Sequence, residues 1–167
     1  MMNLTIYNFV LYIGIAWGTN ILFNLLYVLK RYKPTYTSKD KAIDGNIVFL
    51  GNRLIGESTT VFGLIIAMLA SIIIYFIFGV FYLAMIPLLV YLGHTLGSFV
   101  KRRLGIEDGK FMPVVDHGDY MITTGVILLI LGYISWQLAI AGLVFTYIFH
   151  PLACFIAYKL KLRQYPY

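Results

Sequence analysis

The sequence predicts an all-α, polytopic membrane protein with five transmembrane helices, the N-terminus outside and the C-terminus inside. Three observations predict it. Of the 167 residues, 60% are hydrophobic and only 12% charged, with a mean hydropathy of +0.83. A soluble domain is nearer half apolar and a quarter charged, so a bilayer must solvate part of this chain. The apolar residues gather in long blocks, and all thirteen basic residues fall in three segments between or after those blocks.

A membrane-crossing helix needs about 20 mainly apolar residues. The first block, about residues 4–29, supplies one, and it lacks the basic start of a signal peptide, so it is expected to be retained. The block 61–99 is too long for one helix, and Gly79 near its middle divides it into two spans joined by a very short turn. Residues 121–134 and 138–160 give the fourth and fifth spans, separated by Ser135, Trp136 and Gln137. The fourth is short, which places Asp119 and Tyr120 near the water boundary.

Charge placement orients this arrangement. Lys30, Arg31, Lys33, Lys39, Lys41 and Arg53 follow the first span, Lys101, Arg102, Arg103 and Lys110 follow the third, and Lys159, Lys161 and Arg163 end the chain. Five spans put these segments on one side, and retention of positive charge makes that side the cytoplasm. All seven acidic residues lie in the two loops on the same side. The expectation is one membrane domain, residues 1–167, in the cell membrane, with cytoplasmic loops at about 30–60 and 100–120 that carry any chemistry. The first loop is polar and glycine-containing, and is expected to be partly irregular. The single cysteine, Cys154, excludes a disulfide within the chain and reads as a small packing residue.

The richest stretch is 93–119, GHTLGSFVKRRLGIEDGKFMPVVDHGD. Lys101, Arg102 and Arg103 sit at a helix end facing the cytoplasm, where they can anchor topology or attract anionic lipid. Asp116 and Asp119 are three apart, on one face if the segment is helical. Carboxylates beside a basic cluster suit a Mg²⁺–phosphate site, because Mg²⁺ takes one or two carboxylates plus phosphate oxygens. They equally suit an ion-pair network with the basic triplet, and the spacing leaves both open. Gly93 and Gly97 permit close helix packing. The second stretch, 44–63, reads DGNIVFLGNRLIGESTTVFG. Its glycines and Ser58, Thr59 and Thr60 offer backbone and hydroxyl donors to phosphate. No lysine follows the glycines, so it is not a P-loop, and Ser58 or Thr59 can instead cap the second span. His94, His117 and His150 are scattered, and their spacing does not define a zinc site; His150-Pro151 reads as a helix kink.

The segment from Ser98 to Tyr120, S-F-V-K-R-R-L-G-I-x-x-G-x-x-x-P-x-x-D-H-x-D-Y, resembles the signature of CDP-archaeol synthases, relatives of the phosphatidate cytidylyltransferases. The stretch from Ile43 to Gly63, with I-D-G and G-x-R-x-x-G-E-S-x-T-x-x-G, resembles that family's other cytoplasmic motif. The ending H-P-L-A-x-x-I-A-Y-K-L from His150, followed by Pro166, resembles its last span. The resemblance implies transfer of CMP from CTP to a lipid phosphate, an isoprenoid ether lipid or a phosphatidate-like one, with release of pyrophosphate. It implies Mg²⁺ held by Asp116 and Asp119, which with Lys101 would be catalytic. Lys101, Arg102 and Arg103 would neutralise phosphates. Ser98, Ser58, Thr59, Thr60, Asp44 and His94 would bind substrate. CTP, the lipid and the bilayer are the expected partners; no nucleic acid is, and a homodimer is compatible with the sequence.

The chain departs from the signature at several points. His94 stands where the family has an aspartate, and Thr59 where it has a lysine. Leu50 replaces an acidic residue, Val61 and Phe62 replace a tryptophan and an arginine, and His117 replaces a glutamine. Two readings follow: a divergent enzyme with a rebuilt site, or an inactive homologue that binds lipid or nucleotide. A small transporter or scaffold subunit is the rival from another class, and a transporter should show charge buried at mid-span.

Overall fold

The computed structural model describes residues 1–32, 41–108 and 110–162. Lys33, Lys39 and Arg163, three of the topological markers, and the family-like Pro166 lie outside the described residues. The chain forms α1 (Ile6–Tyr32), a small hairpin of β1 (Val48–Phe49) and β2 (Asn52–Arg53), then α2 (Val61–Phe78), α3 (Phe81–Arg103), α4 (Pro113–Ile130) and α5 (Trp136–Lys159). The protein is therefore mostly helical, and among the described residues the correction to an all-α class is the hairpin in the first loop. Among the described residues four helices, α1, α2, α3 and α5, are long and apolar enough to cross a membrane.

Gly79 divides the long apolar block as its composition demands. It caps α2 with φ 64°, and its N–H donates to Tyr75 O. An L side chain is strained at that φ, so glycine ends the helix cheaply. The residue that opens α2 is Thr60, one or two positions later than expected: its hydroxyl accepts from Gly63 N at 3.2 Å. Ser135 caps α5 the same way, so α5 opens at Trp136, a residue expected in the turn.

The largest correction is α4. It begins at Pro113, eight residues before the expected span, because proline's fixed φ suits a first helical turn and the Asp116 carboxylate accepts from Met112 N at 2.6 Å. Asp116, His117 and Asp119 are thus inside the helix, which lowers its hydropathy. Tyr120, expected near water, is fully buried.

Helix α3 is central and packs against α1, α2 and α4, while α4 packs against α5. The core joins Tyr12 and Ala16 of α1, Leu83, Ile86 and Val90 of α3, Tyr120, Met121 and Leu128 of α4, and Leu138 of α5. Helix α2 buries only Ala67 and Ser71; a helix apolar all round that leaves most of its surface uncovered fits a lipid environment. Glycine sets the α3–α4 crossing. A Cβ at Gly93 would overlap the Tyr120 backbone, and one at Gly97 would overlap the Asp119 carboxylate. At one end of the bundle Met2 pairs with the α4–α5 turn, through Met2 N to Tyr133 O at 2.7 Å and Ser135 N to Met2 O at 2.9 Å. At the other end the first loop meets the α3–α4 loop.

Candidate active site at the loop end

The first loop is organised by one carboxylate. Asp44 Oδ1 accepts from Asn46 N at 3.1 Å and Arg53 Nη2 at 2.9 Å, and Oδ2 accepts from Ile55 N at 3.1 Å and Gly56 N at 3.0 Å. Its side chain has no exposed surface. Burial pushes the carboxyl up, but the hydrogen bonds from Gly56, Arg53, Ile55 and Asn46 outweigh it and hold it at about 2. Asp44 was a candidate substrate ligand; its oxygens are engaged inside the loop it shapes.

That loop folds onto the end of α3. Ser58 Oγ and Thr59 Oγ1 each lie 3.4 Å from Ser98 Oγ. Tyr91 donates its hydroxyl to Thr60 O at 2.8 Å. Glu57 N donates to Asp108 Oδ2 at 2.5 Å, and a Cβ at Gly56, which has φ 113°, would crowd that same carboxylate. The hydroxyls expected in two motifs therefore meet: Ser58, Thr59 and Ser98 form one cluster, whereas the Thr60 hydroxyl is taken by its cap.

The three basic residues fan out to different partners. Lys101 Nζ donates to Asp116 Oδ1 at 2.6 Å and to Lys110 O at 3.2 Å. Arg102 is 5% exposed; it donates to Ile106 O at 2.5 Å and Asp108 Oδ1 at 3.4 Å. Arg103 donates to Phe49 O at 2.5 Å and Arg53 O at 2.7 Å, with its guanidinium over the Phe49 and Phe99 rings. Arg102 thus braces the α3–α4 loop and Arg103 the hairpin. Lys101, three residues from Ser98 on α3, lies on the side of the hydroxyl cluster.

Asp119 faces the bundle interior. Its Oδ2 lies 3.2 Å from His94 Nδ1, its Oδ1 accepts from Tyr120 N at 2.6 Å, and His94 Nε2 lies 3.1 Å from Asn20 Oδ1. Asp116 and Asp119 so have separate partners, Lys101 for one and His94 for the other.

Two contributors were missed in the sequence. Asp108 occupies one of the variable positions of the G-I-x-x-G stretch, yet it joins the first loop to Arg102. Asn20 is one of three asparagines in the first span, with Asn8 and Asn24; its signal was that polar groups inside a span need a partner.

A family model described as CarS-like, CDP-archaeol synthase, matches residues 19–167. The CDP-archaeol synthase of Methanococcus aeolicus is 30% identical over 86% of this chain and 95% of its own length. That of Saccharolobus solfataricus is 29% identical over 89% and 99%, and that of Methanopyrus kandleri 33% identical over 70% and 73%. A solved structure of an intramembrane enzyme for archaeal membrane lipid biosynthesis superposes with a TM-score of 0.65 at 25% identity, covering 91% of this chain and 95% of that one.

Proposed function

The chain belongs to the CDP-archaeol synthase family, and from that premise we propose that its chemistry takes place where the first loop meets the ends of α3 and α4. The protein is a membrane cytidylyltransferase: it transfers the CMP of CTP to a lipid phosphate and releases pyrophosphate. The lipid we assign is an archaeol-type ether lipid. A phosphate oxygen of the lipid attacks the α-phosphorus of CTP, and the bond to the β-phosphate oxygen breaks. Such a transfer asks the protein mainly for positioning and charge neutralisation.

One observation carries the placement: Ser58 and Thr59 converge on Ser98, three residues from Lys101. In this reading the hydroxyl cluster donates to the triphosphate, and Lys101 leaves Asp116 to neutralise it. Arg102 and Arg103 add positive potential while bracing the loops, Asp44 fixes the loop shape, and Thr60 fixes the start of α2. His94 orients Asp119.

The residues fit a hard divalent cation. Asp116 and Asp119 bring oxygen donors three apart on one helix, and Mg²⁺ takes few protein carboxylates and otherwise phosphate oxygens and water. Asp116 and Asp119 would hold it. When bound, Mg²⁺ neutralises charge on the triphosphate oxygens.

In the same reading the chain is one domain with five crossings, α4 being the short fourth, the N-terminus outside and the loops in the cytoplasm. The pairing of Met2 with the α4–α5 turn supports it, because that end of the bundle carries none of the basic residues. An apolar groove of about 680 Å³ between α1 and α2, lined in part by Gly14, Gly18 and Ala70, is of the kind that takes isoprenoid chains.

The experiment is incubation of the purified protein with labelled CTP, Mg²⁺ and archaeol phosphate or phosphatidate. Formation of CDP-archaeol is expected. Absence of any CDP-lipid with either acceptor sinks the enzymatic reading in favour of an inactive homologue.

A further inference from the structure

The three residues that looked unrelated in sequence, His117 of α4 and His150 and Cys154 of α5, meet in the bundle. His117 Nδ1 and His150 Nδ1 are 2.8 Å apart, and Cys154 Sγ lies 4.0 Å from His150 Nδ1. All three ligating atoms fall within 4.8 Å of one another, with His117 and Cys154 buried and His150 half-buried. We propose that His117, His150 and Cys154 form a thiolate–imidazole site for a borderline divalent cation of the Zn²⁺ type, distinct from the carboxylate pair.

The chemistry of the donors selects the ion. Two imidazoles and a thiolate favour Zn²⁺, whereas Mg²⁺ prefers oxygen. Tetrahedral zinc with Zn–N near 2.0–2.1 Å and Zn–S near 2.3 Å sets N···N at about 3.3 Å and N···S at about 3.6 Å. The observed 2.8 and 4.0 Å differ from these by about half an ångström, in opposite senses. The third pair, His117 and Cys154, lies within 4.8 Å, so the thiol must rotate toward both imidazoles to close the tetrahedron. Three protein ligands leave one position for a water.

The fold holds the ligands in place. His150 and Cys154 are four apart on α5, so they share one face. His117 faces them because α4 and α5 approach closely here: a Cβ at Gly118 would overlap Tyr147, whose hydroxyl donates to Val114 O at 2.6 Å. The second nitrogen of His150 lies 3.2 Å from Asn20 Nδ2, and a turn of that amide presents its oxygen as the outer acceptor that a ligating imidazole requires. Phe111 and Tyr120 pack edge-on to the two imidazoles and thin the water around them. His117 is the fifth residue of α4, about 6 Å along the helix from its start, so the ion enters from the loop end.

Binding releases one proton, that of the Cys154 thiol. Each imidazole binds through Nδ1 and stays neutral with its proton on Nε2. In the structure His150 Nε2 accepts from Asn20 Nδ2 at 3.2 Å, so binding through Nδ1 requires the Asn20 amide to turn its oxygen toward the Nε2 proton; Asn20 also reaches His94 at 3.1 Å, and His94 reaches Asp119 at 3.2 Å. The site is therefore joined by hydrogen bonds to one of the two carboxylates, although its existence does not depend on the reaction.

The test uses the full chain, purified in detergent and stripped with a chelator. Zn²⁺ is titrated against a chromophoric competitor, and Co²⁺ is added separately to read thiolate-to-metal charge transfer in the near ultraviolet. The expected result is one zinc per chain and a cobalt–thiolate band. Cys154→Ser should abolish the band, and His117→Gln should weaken zinc by at least about tenfold, since even outer-shell changes cost that much. Thermal melting of both variants checks that they fold, and His117→Gln installs the residue the family signature carries. Zinc binding of equal strength in wild type and the His117→Gln/Cys154→Ser double variant, or cobalt binding without a thiolate band in wild type, overturns the proposal.

Discussion

Lys101 Nζ sits 2.6 Å from Asp116 Oδ1 and ties the end of α3 to the first turn of α4. The pair is partly buried, with side chains 12% and 24% exposed. Removing one partner therefore leaves the other poorly solvated as well as idle. Asp116→Asn should lower CDP-lipid formation by about 10²–10³-fold, the cost typical of a lost charge-stabilising group, and should raise the Mg²⁺ concentration needed for half-maximal rate. Lys101→Ala should lower the rate but leave the Mg²⁺ requirement nearly unchanged. Unchanged turnover in Asp116→Asn removes it from the mechanism.

The first loop should open in acid. The Asp44 carboxyl is held at about 2 against an ordinary 3.8. Its folded form thus binds fewer protons than its unfolded form between those values. The stabilisation is fully present above pH 3.8 and is lost as pH falls through 2, and it amounts to roughly 2 kcal/mol. Hydrogen exchange at the Gly56 amide should speed up across that window, and Asp44→Asn should show the faster exchange already at pH 6. An amide that stays protected in the variant shows that the carboxylate does not hold the loop.

The α3–α4 crossing should tolerate no side chain at position 93. Gly93→Ala sets a methyl against the Tyr120 backbone, which cannot rotate away, and should cost about 1–3 kcal/mol in thermal unfolding. Gly14→Ala is the control, because nothing lies within 4 Å of a Cβ there. Equal melting temperatures for the two variants would show that the crossing has room to spare.

Helix positions were legible in the sequence because each boundary has a local chemical cause. Gly79 in a 39-residue apolar run has one conformational use, and the structure puts it at φ 64°. The start of α4 was misplaced because hydropathy tracks burial in lipid, whereas the first half of α4 packs His117, Gly118 and Tyr120 into protein and pairs its charges. Site residues were legible as types and not as partners. Asp116 and Asp119 shared a motif, yet one meets Lys101 and the other His94. His117, His150 and Cys154 stood apart because ligand spacing reports neighbours on one helix, and this cluster joins two helices across 33 residues.

His94 and Thr59, the two positions where the family signature has an aspartate and a lysine, lie close in space. Thr59 Oγ1 is 3.4 Å from Ser98 Oγ, and Ser98 is one turn from His94 on the same face of α3. The missing acid and the missing base therefore read as one coupled exchange. His94→Asp alone sets a second carboxylate beside Asp119, and like charges at that range oppose each other. Thr59→Lys alone buries an ammonium without a partner, since Thr59 is 4% exposed. Each single change should lower CDP-lipid formation by about 10–100-fold. The double variant should recover much of it, with a coupling of about 0.5–3 kcal/mol in transition-state free energy. Strict additivity would show that the two departures are unrelated. Activity confined to the double variant, with none in the native chain, would make the native protein a degraded homologue and overturn the enzymatic reading.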